Sequence, residues 1–424
     1  MGHNTYSGGM ILKIRILVIM LLVLASSLPA LAETASDLQS GVFTYSLLPD
    51  GTAQIDGVNT PLEGVLTIPD HLDGHPVSSI GTSAMTVTEC YMLTEIIIPE
   101  GVTNIGDGAF VYDELLTSIT LPNSLTTIGV NPFPCNTKLN IKIPDNHPIF
   151  YMQDRALFSR PDKRIICYLY SEDTPDAVYD IPVGTEIVGD EAFYMSFVAG
   201  ITIPDTVVRI GNNAFTGCDF ENIVIPESVT SIGDQAFSFT GCENVSIPGS
   251  VIEIGTNPFA DCDRLTKIKI AKNHPYLGMK DGVLFSKPDR RLITFPGGKE
   301  MEEYHVPEGT EIIGDYAFYQ CEIERVILPD TVMTIGDEAF GGGCGPKCVI
   351  VPSSVISIGQ DAFEHGNLSD EDYDCTVIVE TGSFAETYCQ DNNVSYRDEN
   401  GSFHQRKATE LVNDSVSFQN RSAE

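Results

Sequence analysis

Basic residues are scarce: 24 Lys and Arg stand against 59 Asp and Glu, for a net charge of −35 over 424 residues. An acid excess of this size keeps a chain soluble and repels nucleic acid and anionic membranes. It argues against nucleic acid as a partner and names no other. No cysteine precedes Cys90, so no lipid-modified cysteine can sit at an N-terminal cleavage point. The C-terminal SVSFQNRSAE is polar and reads as free of a sorting or anchoring signal. Catalytic signatures are missing too. None of the eight histidines forms H-E-x-x-H, no serine lies in Gly-x-Ser-x-Gly, and the glycine-rich GGGCGPKC lacks Gly-Lys-Ser/Thr. Cys344 and Cys348 have no second pair with which to hold zinc. The acidic SDEDYDC (369–375) and DNNVSYRDEN (391–400) lack the central glycine and twelfth-position glutamate of a calcium loop, so both read as solvated loops. The reading is therefore of a non-enzyme without metal or cofactor.

One long apolar run is present, Ile16 to Leu24, preceded by Lys13 and Arg15 and followed by Ala30-Leu31-Ala32 before Glu33. This is the form of a secretory signal peptide over residues 1–32. An uncleaved anchor is the competing reading, but the run is short for a span. Removing the leader, which holds two bases and no acid, takes the net charge to −37 and leaves no stable membrane span. A secreted or surface-associated chain is expected.

A repeat dominates the rest. NIVIPESVTSIGDQAF (222–237) recurs as EIIIPEGVTNIGDGAF (95–110), GITIPDTVVRIGNNAF (200–215), NVSIPGSVIEIGTNPF (244–259), RVILPDTVMTIGDEAF (325–340) and CVIVPSSVISIGQDAF (348–363). Pro182, Pro204, Pro226 and Pro248 are evenly spaced. Their spacing lies within the range of leucine-rich repeats. In I-x-I-P-x-x-V-x-x-I-G-x-x-A-F, the alternating I-x-I predicts a short strand with two inward side chains. Proline ends it, glycine permits a turn, and Ala-Phe fills the interior of each coil. One coil cannot bury its own apolar face, so stacked coils must share a core. The fold class is a mostly-β repeat solenoid with a parallel strand ladder, about 12 coils of about 22–23 residues. Ile232, Gly233 and Phe237 then belong to the frame, and Asp234 reads as a solvated turn acid.

Two coils are longer. IPDNHPIFYMQDRALFSRPDKRIICY (143–168) and IAKNHPYLGMKDGVLFSKPDRRLITF (270–295) resemble each other closely enough to be copies. VLFS and RLITF, flanking KPD, predict a strand, a turn and a strand, hence a hairpin in the solenoid wall at each site. His147 and His274 sit before a proline in both copies and read as turn stabilisers. Residues 33–68 read as an entry cap whose hairpin turns at Pro49, Asp50 and Gly51, residues 69–374 as the repeats, 375–396 as an exit cap with a helical SFAETYC, and 397–424 as a polar tail. The 11 cysteines are odd in number, and several follow Ala-Phe (Cys218, Cys242, Cys262, Cys321, Cys344). At inward positions they read as buried thiols packed like small hydrophobes, with Cys344 and Cys348 the pair set apart.

Over nearly all of Gly41 to Tyr396 these motifs closely resemble the BspA-type leucine-rich repeat, and DGVLFSKPDRRLITFPGGK (281–299) is similar to that family's longer repeats. The resemblance implies a parallel ladder on one face and a secreted or surface role in adhesion to host or matrix. The family fixes no binding residue by a short motif, so none carries over.

The residue between the inward pair of I-x-I-P faces outward. That column reads Thr67, Ile97, Thr120, Lys142, Asp180, Thr202, Val224, Ser246, Lys269, His305, Ile327, Ile350 and Ile378, with Asp180 its one acid. Two residues earlier, Lys267 and Arg325 alternate with Glu95 and Glu303, and Lys347 lies one place further back. Strand propensity alone accounts for Thr, Val and Ile here. The alternative is a ligand face, near-neutral to basic, comprising Lys142, Lys267, Lys269, Arg325, Ile327, Lys347, Ile350 and Ile378, with an extracellular protein or glycan as its partner. A non-catalytic envelope scaffold without a dedicated ligand is the second reading. The sequence does not fix the oligomeric state.

Overall fold

The computed structural model describes residues 38–59, 61–85, 92–110, 115–133, 138–171, 178–342, 345–363 and 376–404. The leader, the acidic segment 369–375, Cys344 and the end of the chain from 405 lie outside the described residues. The architecture is a mostly-β parallel solenoid of about 14 turns. That is somewhat more than the repeat count suggests, because strands at both ends join the stack.

Each regular turn contributes to two parallel ladders. The I-x-I strand of one coil pairs with that of the next, as in Asn222↔Asn244, Ile223↔Val245 and Val224↔Ser246. The x-I before glycine forms a second strand, with Ser231↔Glu253 and Ile232↔Ile254. The second ladder was not legible as a strand, since two residues carry no alternation. A third line of bonds joins each coil to the next: Gln235 N–H donates to Thr256 O at 2.9 Å and Phe237 N–H to Pro258 O at 2.8 Å. Gln235 adopts left-handed φ of 49°, as do Asn213 (50°) and Glu338 (48°) at the same place in other coils.

Gly233 is required by approach and not by an unusual backbone. A Cβ there would lie 2.5 Å from Asn212 Oδ1 and 2.6 Å from Asn212 N of the preceding coil. The carbonyl of that side chain accepts from Asp234 N–H at 2.9 Å, and Asp234 Oδ1 in turn accepts from Thr256 N–H at 2.7 Å. Asp234 is exposed on its turn, as expected, and is also bonded: it clips two coils together. Asp190, Asp315 and Asp337 make the same bond.

Inside, phenylalanines stack coil on coil. Phe193, Phe215, Phe237 and Phe259 follow at centroid separations of 5.3, 5.3 and 5.7 Å, and Phe295, Phe318, Phe340 and Phe363 at 5.2, 5.1 and 5.5 Å. Thiols fill the adjacent space. Cys218 and Cys262 donate to the carbonyls of Phe193 and Phe237 at 3.3 and 3.1 Å. Cys167, Cys218, Cys242, Cys262, Cys321 and Cys389 are all free and buried, and Cys348 is free and half-buried. Burial pushes the Cys167 thiol up to about 12.

Each long coil forms a three-stranded antiparallel meander rather than a two-stranded hairpin. Phe150–Gln153 pairs with Ala156–Ser159, which pairs with Arg164–Tyr168. Leu277–Lys280, Val283–Ser286 and Arg291–Thr294 repeat it. The last strand of each starts a new run of the second ladder, against Ile187–Val188 and Ile312–Ile313. The meanders also act as partitions. Leu157 and Ile166 belong to the first core cluster, whereas Phe158 and Ile165, on the opposite side of the same strands, belong to the second. Leu284 and Ile293 close the second cluster, and Val283 and Leu292 open the third.

The turn at each meander is held by its histidine, 2% exposed at His147 and 1% at His274. His147 Nδ1 accepts from the N–H of Ile149 and Phe150 at 3.2 and 3.0 Å, so Nε2 carries the hydrogen and donates to Pro122 O at 3.2 Å. His274 repeats this with Tyr276, Leu277 and Pro248.

At the N-terminal end Phe43–Leu47 and Ala53–Val58 form an antiparallel hairpin. At the other end helix Phe384–Asp391 starts at Ser383, whose side chain accepts from Glu386 N–H, while Glu386 Oε2 accepts from Gly382 N–H at 2.7 Å. Beyond Arg397, where the sequence reads as a tail, Phe403–His404 instead pairs antiparallel with Tyr396–Asp398. That strand covers the last ladder edge.

Candidate ligand-binding face

The outward column of the I-x-I ladder is set by strand register, and it forms in four runs. Thr67↔Ile97, Ile97↔Thr120 and Thr120↔Lys142 make the first. Asp180↔Thr202 makes the second, and Val224↔Ser246↔Lys269 the third. The fourth reads His305↔Ile327↔Ile350↔Ile378↔Arg397. The breaks fall at the two long coils and, among the paired strands, between Thr202 and Val224.

The three isoleucines are direct neighbours on adjacent strands and half-buried. They shield one another while keeping one side to solvent. Val224 is far more exposed, at 79%, but stands alone beside Ser246, and single exposed apolar residues are ordinary. The fourth run is thus the continuous apolar strip of the face. Arg397 at its end escaped the sequence reading, because its segment lacks the I-x-I-P pattern that sets the register.

Most of the cations are already partnered. Lys142 Nζ lies 3.0 Å from Glu95 Oε1, Lys347 Nζ 2.5 Å from Glu324 Oε1, and Arg325 Nη1 3.6 Å from Glu303 Oε2. Lys142, through its hydrogen bond and charge, and then Ser118 hold the Glu95 carboxyl below its usual range. Cys348, next to Arg325, is pushed up by burial, with the guanidinium opposing. Such exposed pairs contribute little to stability, but they leave the face close to neutral. Lys267 and Lys269, on Lys267–Ile270, have no carboxylate partner among the described residues. The strand therefore offers two free cations, apart from the isoleucine strip across the second long coil. The eight candidate residues are not one cluster: Lys142 stands in the first run, Lys267 and Lys269 in the third, and the remainder on the fourth.

The face can offer apolar contact, backbone order and a few charges. Among the described residues no group of three or more His, Cys, Asp or Glu is placed to hold a metal ion, and no helix is long and apolar enough to cross a membrane.

A family model described as BspA type leucine-rich repeat region matches in six copies, over residues 67–160, 183–281 and 293–405. No curated protein matches the chain. Among solved structures, a leucine-rich cell surface protein from Faecalibacterium prausnitzii A2-165 is 22% identical, over 79% of this chain and 96% of that one, with a TM-score of 0.37. The pneumococcal vaccine antigen PcpA is 18% identical over 85% and 97%, at 0.38. A leucine-rich repeat protein from Bacteroides ovatus ATCC 8483 is 22% identical over 85% and 99%, at 0.35.

Proposed function

The chain belongs to the BspA type leucine-rich repeat family, and from this we propose that it is a secreted or cell-surface bacterial binding protein, without catalytic activity, that adheres to an extracellular protein or glycan through the outward side of its I-x-I ladder. The observation that carries the reading is the in-register strip Ile327, Ile350 and Ile378, bounded by His305 and Arg397. A strip of that kind costs solubility if nothing covers it, and a rim of charge around an apolar centre is the anatomy of a contact surface. The parallel backbone ladder holds these side chains in fixed register, so little order has to be gained on binding.

A second reading, a passive envelope scaffold, is favoured by the ion pairs Lys142–Glu95, Lys347–Glu324 and Arg325–Glu303. These consume within the chain the charges that a ligand would meet. The experiment is equilibrium binding of residues 33–424 to immobilised matrix proteins, mucins and glycans. Saturable binding to one class of surface supports the binding protein; absence of binding to every class supports the scaffold.

A further inference from the structure

The two meanders are copies with one consequential difference. In the first, Tyr151 lies directly across from Phe158 and stacks on it, centroids 5.2 Å apart, and the Arg160 guanidinium caps the tyrosine ring at 4.4 Å. Phe158 is 1% exposed, a member of the second core cluster with Tyr151 packed against it. In the second, the residue across from Phe285 is Gly278. Among the described residues no ring stacks on Phe285, which is half-buried. A groove of about 290 Å³ opens there between the meander and the turn Pro307–Thr310. Its rim carries Lys280, Lys287 and Arg290, all exposed, where the first copy has Gln153, Arg160 and Lys163. Glu308 is the one acid lining it. Arg290 pairs with Glu311, Lys287 reaches the His274 carbonyl, and Lys280 has no carboxylate partner among the described residues.

We propose that this groove is a binding slot for an aromatic side chain flanked by carboxylates in a partner polypeptide, the ring seated on Phe285 where Tyr151 sits in the first meander. The first copy shows the occupant the scaffold is shaped for: a ring stacked on phenylalanine with a cation over its outer face. Removing that ring to glycine leaves the phenylalanine in place and puts Lys287, whose ammonium donates to the His274 carbonyl, where the first copy has Arg160. The exchange of Gln153 for Lys280 adds positive charge in a chain of net charge −35. Screening limits the acid excess elsewhere to a range of about 8 Å at physiological salt, so an incoming carboxylate meets the local cations. The slot shares no residue with the ladder strip and stands or falls separately from it.

The probe is a fluorescein-labelled, end-blocked peptide, Glu-Asp-Tyr-Asp-Glu, titrated with the full chain and followed by anisotropy. One-site saturable binding is expected, weakened about tenfold or more when the peptide tyrosine is replaced by alanine. Gly278→Tyr writes the first copy's ring into the slot. Gly278 has no positive φ, and its added Cβ would meet only the Lys287 chain, at 3.6 Å. That variant should fold as the parent does, checked by circular dichroism, and lose the peptide. Lys280→Gln with Lys287→Gln should weaken binding and flatten its salt dependence. Tyr151→Gly with Gln153→Lys should raise the stoichiometry from one to two. The ladder variant Ile327→Asp, Ile350→Asp, Ile378→Asp should bind the peptide unchanged. Undiminished binding by Gly278→Tyr, equal binding of the alanine peptide, preference for dextran sulfate over the peptide, or no saturable binding each overturns the proposal.

Discussion

A methyl group at Gly233 is expected to be among the costlier small changes in the chain. It would enter the space of Asn212 Oδ1 and N at 2.5 and 2.6 Å, and backbone on the preceding coil cannot give way without shifting the ladder. Gly233→Ala should destabilise by about 1–3 kcal/mol in chemical denaturation; a neutral result would show that the coils sit further apart. Asp234 offers a sharper comparison, since Asn212 makes the same bond one coil earlier. Asp234→Ala should cost about 1 kcal/mol through the lost acceptor for Thr256 N–H, and Asp234→Asn much less. Equal losses for both would mean the carboxylate charge matters rather than the bond. Recurrence alone placed Gly233 in the frame as a turn glycine and left Asp234 to solvent. What each residue does depends on partners in the neighbouring coil, and one repeat read alone contains no trace of that contact.

The long coils show the element scale. VLFS and RLITF were legible as strands because apolar residues run through them. The preceding strand Leu277–Lys280 was not, since Leu277 is its one fully buried residue. Nor could a single strand's pattern reveal that its two sides face different core clusters. The turn histidines give these elements a pH dependence. Burial, chiefly, holds His147 and His274 below the usual imidazole range; the Pro122 and Pro248 carbonyls oppose this, and the charges of Arg160 and Lys287 reinforce it. Between the folded value and the ordinary one, about 6.5, the unfolded chain binds a proton that the folded chain refuses. Their contribution is therefore complete above about pH 6.5 and lost as pH falls through the folded value. The stability advantage of the parent over His147→Gln, His274→Gln should shrink between about pH 7.5 and about pH 5. An advantage that grows on acidification would contradict the neutral tautomer deduced from the two backbone N–H groups at Nδ1.

For the whole molecule, three core clusters separated by two meanders predict segmental behaviour. A repeat array is stabilised by nearest-neighbour contacts, so a cavity should be felt locally before it is felt globally. Phe237→Ala, in the middle of the stacked rings, should cost about 3–5 kcal/mol. Amide exchange should accelerate first over 178–270 and leave 301–396 close to the parent; uniform acceleration would indicate one cooperative unit. The solenoid and its phenylalanine interior were legible because a regular period returns the same residue types to the same inward positions. The candidate face was legible only as a list. Register joined three of its residues into a strip, counter-charges on Glu95, Glu303 and Glu324 neutralised three more, and Lys267 and Lys269 remained apart. The most direct measurement compares the parent chain with Ile327→Asp, Ile350→Asp, Ile378→Asp on whichever immobilised surface retains the parent. If the ladder is the ligand face, the variant keeps its circular dichroism and melting transition but loses at least about tenfold in affinity, about 1.4 kcal/mol. A folded variant that binds as tightly as the parent would contradict that assignment.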